Sequence, residues 1–256
     1  MKGTKVVRLQ EEVKVNDPIF LVGLPGVGHV GKLVAEHLIE ELDAEKIIEI
    51  YSHHFPPQVL VDENSEIHVV NNEIYVCSTG KSDIVILVGD HQSSTGEGHY
   101  ELCDLYLDIA EEFGAQRIYT LGGFPTGQLT YSEEVLGAVN NPELTDELKK
   151  AGVVFKENEP GGGIVGASGL ILGLSKFRNI DAACLMGLTS GYLVDPKSAQ
   201  SLLKVICSIF DIEIDEGPLE ERAKEMEKIV ARLKEVEQQQ QGIPEAIRDE
   251  DLRYIG

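Results

Sequence analysis

The chain alternates short, continuously apolar runs with longer stretches in which apolar residues recur every three or four positions. Asp17-Pro18-Ile19-Phe20-Leu21-Val22 predicts a buried strand, and a glycine-rich turn leads from it into a helix from about Val30 to Leu42. Lys46 to Tyr51 follows as a second strand. Ile67 to Val70 and Glu73 to Ser78 flank Asn71-Asn72, and the alternation at Ile74 and Val76 predicts a hairpin around that pair. Asp83 to Val88 has the near-continuous apolar character of a central parallel strand. Tyr100 to Phe113 predicts an amphipathic helix with Gly114 as its C-cap. Arg117 to Leu121 returns as a strand into Gly122-Gly123. Ile164 to Phe177, small and apolar, predicts a buried helix, Ala182 to Leu188 a strand, and Pro196 to Phe210 a further helix. Strands interleaved with helices define an α/β chain, a three-layer α/β/α sandwich around a mostly parallel sheet.

The pattern changes after Ile214. Asp215 to Gln241 is highly charged and carries no strand signal, yet Leu219, Ala223, Met226, Val230 and Leu233 fall on a short heptad seam. Such a seam suits a coiled coil or a single helix laid against its own domain. Gln238 to Gln241, Gly242 and Pro244 then break into an acidic tail that ends in Leu252-Arg253-Tyr254-Ile255-Gly256. Polar tails normally avoid large apolar groups, because they cannot bury enough of them to offset the entropy of ordering. Tyr254 and Ile255 therefore predict a plug that becomes buried on another protein; a tail folded back on its own domain is the other possibility. A terminal carboxylate beside them would add a charge-assisted bond to a Lys or Arg. The expected organisation is a core domain over 1–214, a helical extension over 215–241 and a flexible tail over 242–256.

Composition narrows the partners. The formal net charge is -22, so phosphate backbones and anionic membranes are repelled, and neither is an expected partner. No apolar run approaches the length of a membrane span, and Met1 to Gln10 is too polar for a signal peptide. Cys77, Cys103, Cys184 and Cys207 are widely spaced among apolar neighbours, which predicts buried thiols in a reducing cytoplasm rather than disulfides or a metal site.

Gly23-Leu24-Pro25-Gly26-Val27-Gly28-His29-Val30-Gly31-Lys32 lies between a strand and a helix and contains both G-x-G-x-x-G (Gly26, Gly28, Gly31) and G-x-x-x-x-G-K (Gly26 to Lys32). Either pattern can cradle phosphate with backbone N–H groups. Leu33 stands where a phosphate loop needs Ser or Thr for Mg²⁺, and Glu49 is the candidate ribose-binding acid of a dinucleotide site. The competing role for these glycines is tight packing of turn and helix against the sheet. Gly166-Ala167-Ser168-Gly169 is an incomplete nucleophile elbow, with Leu170 in place of the last glycine. Asp90, His91, Glu97 and His99 sit in a polar loop after the central strand and could hold a metal or perform acid–base work, although an Asp/Ser-rich helix entry has the same composition. His53-His54 precedes Phe55-Pro56-Pro57, a rigid turn.

Taken together, Gly23 to Gly31, Leu121-Gly122-Gly123-Phe124-Pro125-Thr126-Gly127, Gly161 to Gly173 and Leu188-Thr189-Ser190-Gly191-Tyr192 resemble the proteasome assembly chaperone family, in particular its archaeal homologues, over roughly residues 15 to 210. The resemblance implies a phosphorylase/hydrolase-like α/β/α domain without catalytic chemistry or cofactor. It also implies binding to proteasome α-subunits and a homo-oligomer, a tetramer foremost, whose C-terminal segments reach the α-ring. Tails of that family read hydrophobic–Tyr–any residue, with Tyr penultimate; here Tyr254 is third from the end and follows Arg253. The expectation is a cytoplasmic, non-enzymatic proteasome-binding protein, whether assembly chaperone or ATP-independent activator. The alternative is a nucleotide- or small-molecule-binding enzyme that uses the loop from Gly26 to Gly31.

Overall fold

The structure, a computed structural model, describes residues 2–10, 12–129, 131–157, 159, 161–226 and 228. Its centre is a set of parallel strands with no polar face. Strands β2 (Ile19–Val22), β7 (Asp83–Gly89), β8 (Arg117–Pro125) and β11 (Asp181–Thr189) lie side by side in the order β7-β2-β8-β11, all parallel. Their continuous apolar runs follow from burial on both faces. Antiparallel pairing extends the sheet outward on both sides. Strands β1 (Lys5–Arg8), β3 (Glu45–Tyr51) and β6 (Asn72–Ser78) flank β7, and β9 (Val135–Val139) flanks β11, with β10 (Val153–Val154) added in parallel to β9 at that edge.

Helices cover both faces, so the α/β/α sandwich expected from the sequence is the observed fold. On one face α1 (Val30–Glu41) and α5 (Pro196–Phe210) pack together, with Leu144 and, from α3 (Thr145–Lys150), Leu148 joining the same core. On the other face α2 (Gly96–Glu112) packs against α4 (Ala167–Ser175). The helix starts are chemically marked. Thr95 accepts from the Gly98 N–H at 3.0 Å, and Asp195 accepts from the Ser198 N–H at 3.0 Å with Pro196 in the first turn. Gly114 adopts φ +79° after α2, as its C-cap role requires. Stretch 217–226 is helical, and Leu219 and Ala223 are buried, Leu219 in the α1/α5 core. Val230 and Leu233 of the heptad seam lie outside the described residues, as do Leu252, Arg253, Tyr254, Ile255 and Gly256.

Two sequence expectations fail. Asn71-Asn72 is not a hairpin turn: Ile67–Val69 (β5) pairs with Val59–Val61 (β4) in a separate two-stranded ribbon, and β6 begins at Asn72 between β3 and β7. The cause is burial of Asn72, whose side-chain amide is hydrogen-bonded to the Tyr106 hydroxyl at 2.8 Å, so the pair is structural rather than an exposed turn. The apolar stretch Ile164 to Phe177 is also not wholly a buried helix. Gly166 at φ +87° delays the start to Ala167; only Ala167, Ile171 and Ser175 are buried, and Val165 and Phe177 are exposed.

Helix α1 approaches the sheet closely because of one residue. A Cβ on Gly31 would lie 2.3 Å from the carbonyl oxygen of Leu121 in β8, a backbone atom that cannot step aside. Gly31→Ala is therefore expected to lower the melting temperature, at a cost of about 1–3 kcal/mol or more, despite the better helix propensity of alanine. Gly173→Ala in α4, where no atom lies within 4 Å, should be neutral or stabilising. Thermal unfolding should show a lower melting temperature for Gly31→Ala and an unchanged or higher one for Gly173→Ala; equal effects would remove the packing account of Gly31.

Candidate functional site

In an open α/β sheet the usual ligand crevice lies outside the carboxyl ends of the parallel strands. Here β2 ends at Val22, paired with Thr120, while β8 runs on to Pro125, so the two strands part company beyond Thr120. A cleft of about 340 Å³ occupies the gap. Leu24, Gly26 and Val27 of the β2–α1 loop form one wall; Ile164, Val165 and Gly166 at the entry to α4 form another. Gly122 and Gly123 of β8 and Met186 of β11 lie along the floor.

One side chain ties the walls together. Gln92, in the loop between β7 and α2, donates from Nε2 to the Pro25 carbonyl at 2.7 Å and accepts at Oε1 from the Ala167 N–H at 2.9 Å. These two bonds fix its amide orientation, and Oε1 also lies 3.3 Å from His99 Nε2. His99 Nδ1 in turn donates to the Thr95 carbonyl at 2.9 Å. Gln92 thus replaces a capping side chain at α4, where Gly166 can supply none. Nothing in the sequence pattern singled it out beyond its place after a central strand.

The glycines of the loop serve packing for the most part. A Cβ on Gly23 would meet Ala35 Cβ at 2.3 Å, and one on Gly28, at φ +64°, would meet Thr189 Oγ1 at 2.8 Å. Lys32 points away from the cleft: it pairs with Glu36 at 3.5 Å and lines a second, charged cleft of about 420 Å³ with Glu49, Glu73 and Asp90. Glu49 lies on β3, three strand positions from β2, or roughly 14 Å. There it accepts from Lys46 Nζ at 2.9 Å; that hydrogen bond holds its carboxyl below the usual range while burial opposes. The structure therefore does not bring Gly26, Lys32 and Glu49 to one ligand, and the chemistry that both phosphate patterns require is not assembled.

The polar loop is dispersed as well. Asp90 accepts from the Asn71 N–H at 3.2 Å, Glu97 lies in the first turn of α2, and only His99 lines the cleft. Among the described residues no group of three or more His, Cys, Asp or Glu converges as metal ligands would. His54 hydrogen-bonds Glu101 at 2.8 Å and stacks beside His53. Ser168 has no histidine partner; its hydroxyl donates weakly to the Leu121 carbonyl at 3.4 Å. Cys184, also at the cleft, is a poor nucleophile near neutral pH, since burial pushes its thiol up to about 11 against the bond from Thr120. All four cysteines are unpaired.

Comparison with known proteins then places the fold. The PAC2 family profile matches residues 20–234. This chain belongs to the PAC2 family. It is 41% identical over 244 residues to the uncharacterized protein MJ1210 of Methanocaldococcus jannaschii, covering 94% of this chain and 93% of that one. The crystal structure of Pyrococcus furiosus PbaB, described as an archaeal proteasome activator, superposes with a TM-score of 0.86 at 40% identity over 91% of this chain and 100% of PbaB. Pyrococcus furiosus PbaA, described as an archaeal homolog of proteasome-assembly chaperone, gives a TM-score of 0.75 at 25% identity over 99% and 100%. The resemblance carried by the glycine blocks is borne out. Among the described residues no helix of this PAC2 protein is long and apolar enough to cross a membrane.

Because Lys32 lines a different cleft from Gly26 and Leu33 offers no hydroxyl, the protein is expected to release phosphate from ATP only at background rate in a steady-state assay. Turnover that disappears in Lys32→Ala would overturn that expectation.

Proposed function

We propose that this PAC2 protein is a non-enzymatic proteasome-binding protein, an assembly chaperone or an ATP-independent activator, that docks on the proteasome α-ring through several C-terminal tails. The observation that carries the proposal is its 40% identity over the full length of PbaB, described as a proteasome activator. The separation of Gly26 and Ser168, which line one cleft, from Lys32, Glu49 and Asp90, which line another, favours binding over a phosphate-loop enzyme. In this proposal the core domain over 1–214 self-associates, most simply as a tetramer, and the extension over 215–241 carries the tails over 242–256 outward. Leu252, Arg253, Tyr254, Ile255 and Gly256 are the partner-binding residues. One tail binds weakly, and linkage of several multiplies avidity when their reach matches the spacing of the pockets. The setting is cytoplasmic, and neither nucleic acid nor membrane is a partner.

Exposed apolar surface on the core fits a binding protein. In the ribbon, Val59 faces Val69 and Val61 faces Ile67 across the strand pair, and all four are exposed, Ile67 by 70%. Residues directly opposite in an antiparallel pair share a face, so these four make one aliphatic patch of the kind that marks interaction surfaces.

Two outcomes test the proposal. Burial of a Tyr ring and an Ile is worth a few kcal/mol per site at about 25 cal/mol per Å² before ordering costs. Deletion of Tyr254 to Gly256 should therefore abolish binding to immobilised α-rings in a surface-plasmon titration while leaving the melting temperature unchanged. Equal binding by the truncated protein would move recognition to the core. Separately, light scattering should give a mass several times 28.1 kDa for both proteins. A concentration-independent monomer would remove the avidity argument.

A further inference from the structure

Two glycines at the cleft are not explained by packing. Gly31 and Gly123 are forced, since a Cβ at either would sit 2.3 Å from a backbone oxygen. Gly122 and Gly26 are different. A Cβ on Gly122 would come no closer than 3.9 Å to Met186 and 4.0 Å to Ser168 Oγ, and one on Gly26 no closer than 4.0 Å to Gln92 Nε2 and the Leu24 carbonyl. Neither has a positive φ. Glycine inside a strand weakens it and commonly marks a place where a ligand or another backbone comes close. Both line the cleft, Gly122 from β8 and Gly26 from the β2–α1 loop.

The lining chemistry restricts the occupant. Among the described residues, none that lines this cleft is Asp, Glu, Lys or Arg, in a chain of net charge -22. Leu24, Val27, Ile164 and Met186 supply apolar contact, and His99, Gln92 and Ser168 supply hydrogen-bonding atoms. An ionised ligand would lose its hydration without gaining a counter-charge. A flat ring can lie on glycine backbone against aliphatic and thioether side chains, and a volume of about 340 Å³ accommodates a bicyclic ring at the small end of ligand clefts. The Gln92 bonds to Pro25 and Ala167 hold both walls in place before any ligand arrives, which reduces the ordering cost of binding.

We propose that the cleft between the β2–α1 loop and the entry to α4 binds a small, uncharged, planar nitrogen heterocycle the size of a nucleobase, seated on Gly122 and Gly26. The proposal is independent of proteasome binding, since it concerns the core and not the tail.

The test uses the full chain with adenine, hypoxanthine and nicotinamide as probes, and benzoate and inorganic phosphate as charged comparators, in saturation-transfer NMR and titration. At least one heterocycle should bind saturably at millimolar concentration or below, with neither anion competing. Gly122→Val fills the floor and should weaken that binding at least tenfold while leaving the melting temperature unchanged or raised. If Gly122→Val melts lower, Gly26→Ala narrows the cleft from the opposite wall and decides by the same tenfold criterion. Failure of all three heterocycles to bind, preferential binding of an anion, or equal heterocycle binding by the deciding variant would each overturn the proposal.

Discussion

The close approach of α1 to the sheet is the constraint from which the rest of the structure follows. Because Gly31 presents no side chain to the Leu121 carbonyl, and Gly23 none to Ala35, the helix settles directly on β8. That position fixes where the preceding loop must run, and the Gly123 position is constrained in turn by the Val27 carbonyl 2.3 Å from where its Cβ would be. The loop then carries the Pro25 carbonyl to within reach of Gln92, which in the same geometry reaches the Ala167 N–H. A bulkier residue at 31 would lift α1, and the lift would propagate through the loop to the start of α4. Helix–sheet contact on one face and the cleft near the other are thus coupled through the loop backbone and the single side chain of Gln92.

Legibility in the sequence tracks this hierarchy. The central strands are readable because burial on both faces leaves them almost no polar positions, and α5 is readable to the residue because Asp195-Pro196 marks its start. Of the flanking strands, β3 and β6 are readable, while β1, β9 and β10 are not. Strand β1 has two half-buried valines between exposed charges, and β9 carries Gly137 at its centre, where Val153 and Phe155 need the room. Local signals there contradict the tertiary outcome. Asn71-Asn72 shows the same conflict at one point, since a pair that reads as a turn is held inside by Tyr106 of helix α2. No local rule anticipates a partner 34 residues away.

The candidate chemistry was legible in composition but not in arrangement. Two phosphate patterns overlap between Gly26 and Lys32, yet both depend on geometry the sequence does not state. A phosphate loop needs Lys32 to turn back over the glycines, and the pairing with Glu36 along the helix holds it elsewhere. A dinucleotide site needs its second strand beside the first, and here β6 and β7 stand between β3 and β2. What is present is a cleft beyond the carboxyl end of β2, without that chemistry. The distinction that mattered lies between glycines a Cβ would collide with and glycines it would not, and only coordinates separate Gly31 from Gly122.

The charge of the chain governs how any partner can be met. Its 22 Lys and Arg face 44 Asp and Glu, and several cations are drawn inward to carboxylates of the same molecule. Arg178 holds Asp104, Asp108 and Glu111 together, and Lys46 lies between Glu49 and Glu73 at 2.9 Å from each. For Lys46, burial works against the charge, but the bonds to Glu73 and Glu49 prevail and raise its pKa. Even with these cations counted the net charge is -22, so a long-range attraction can come only from a basic partner, and added salt screens it. Toward any other partner the surface repels, and net affinity must come from contacts that bring no charge out of water. The aliphatic face of Val59, Val61, Ile67 and Val69 and the cleft beside Gly122 are two places on the described core where such contact is available. In an acidic molecule these neutral surfaces, more than its many charges, determine what it can hold.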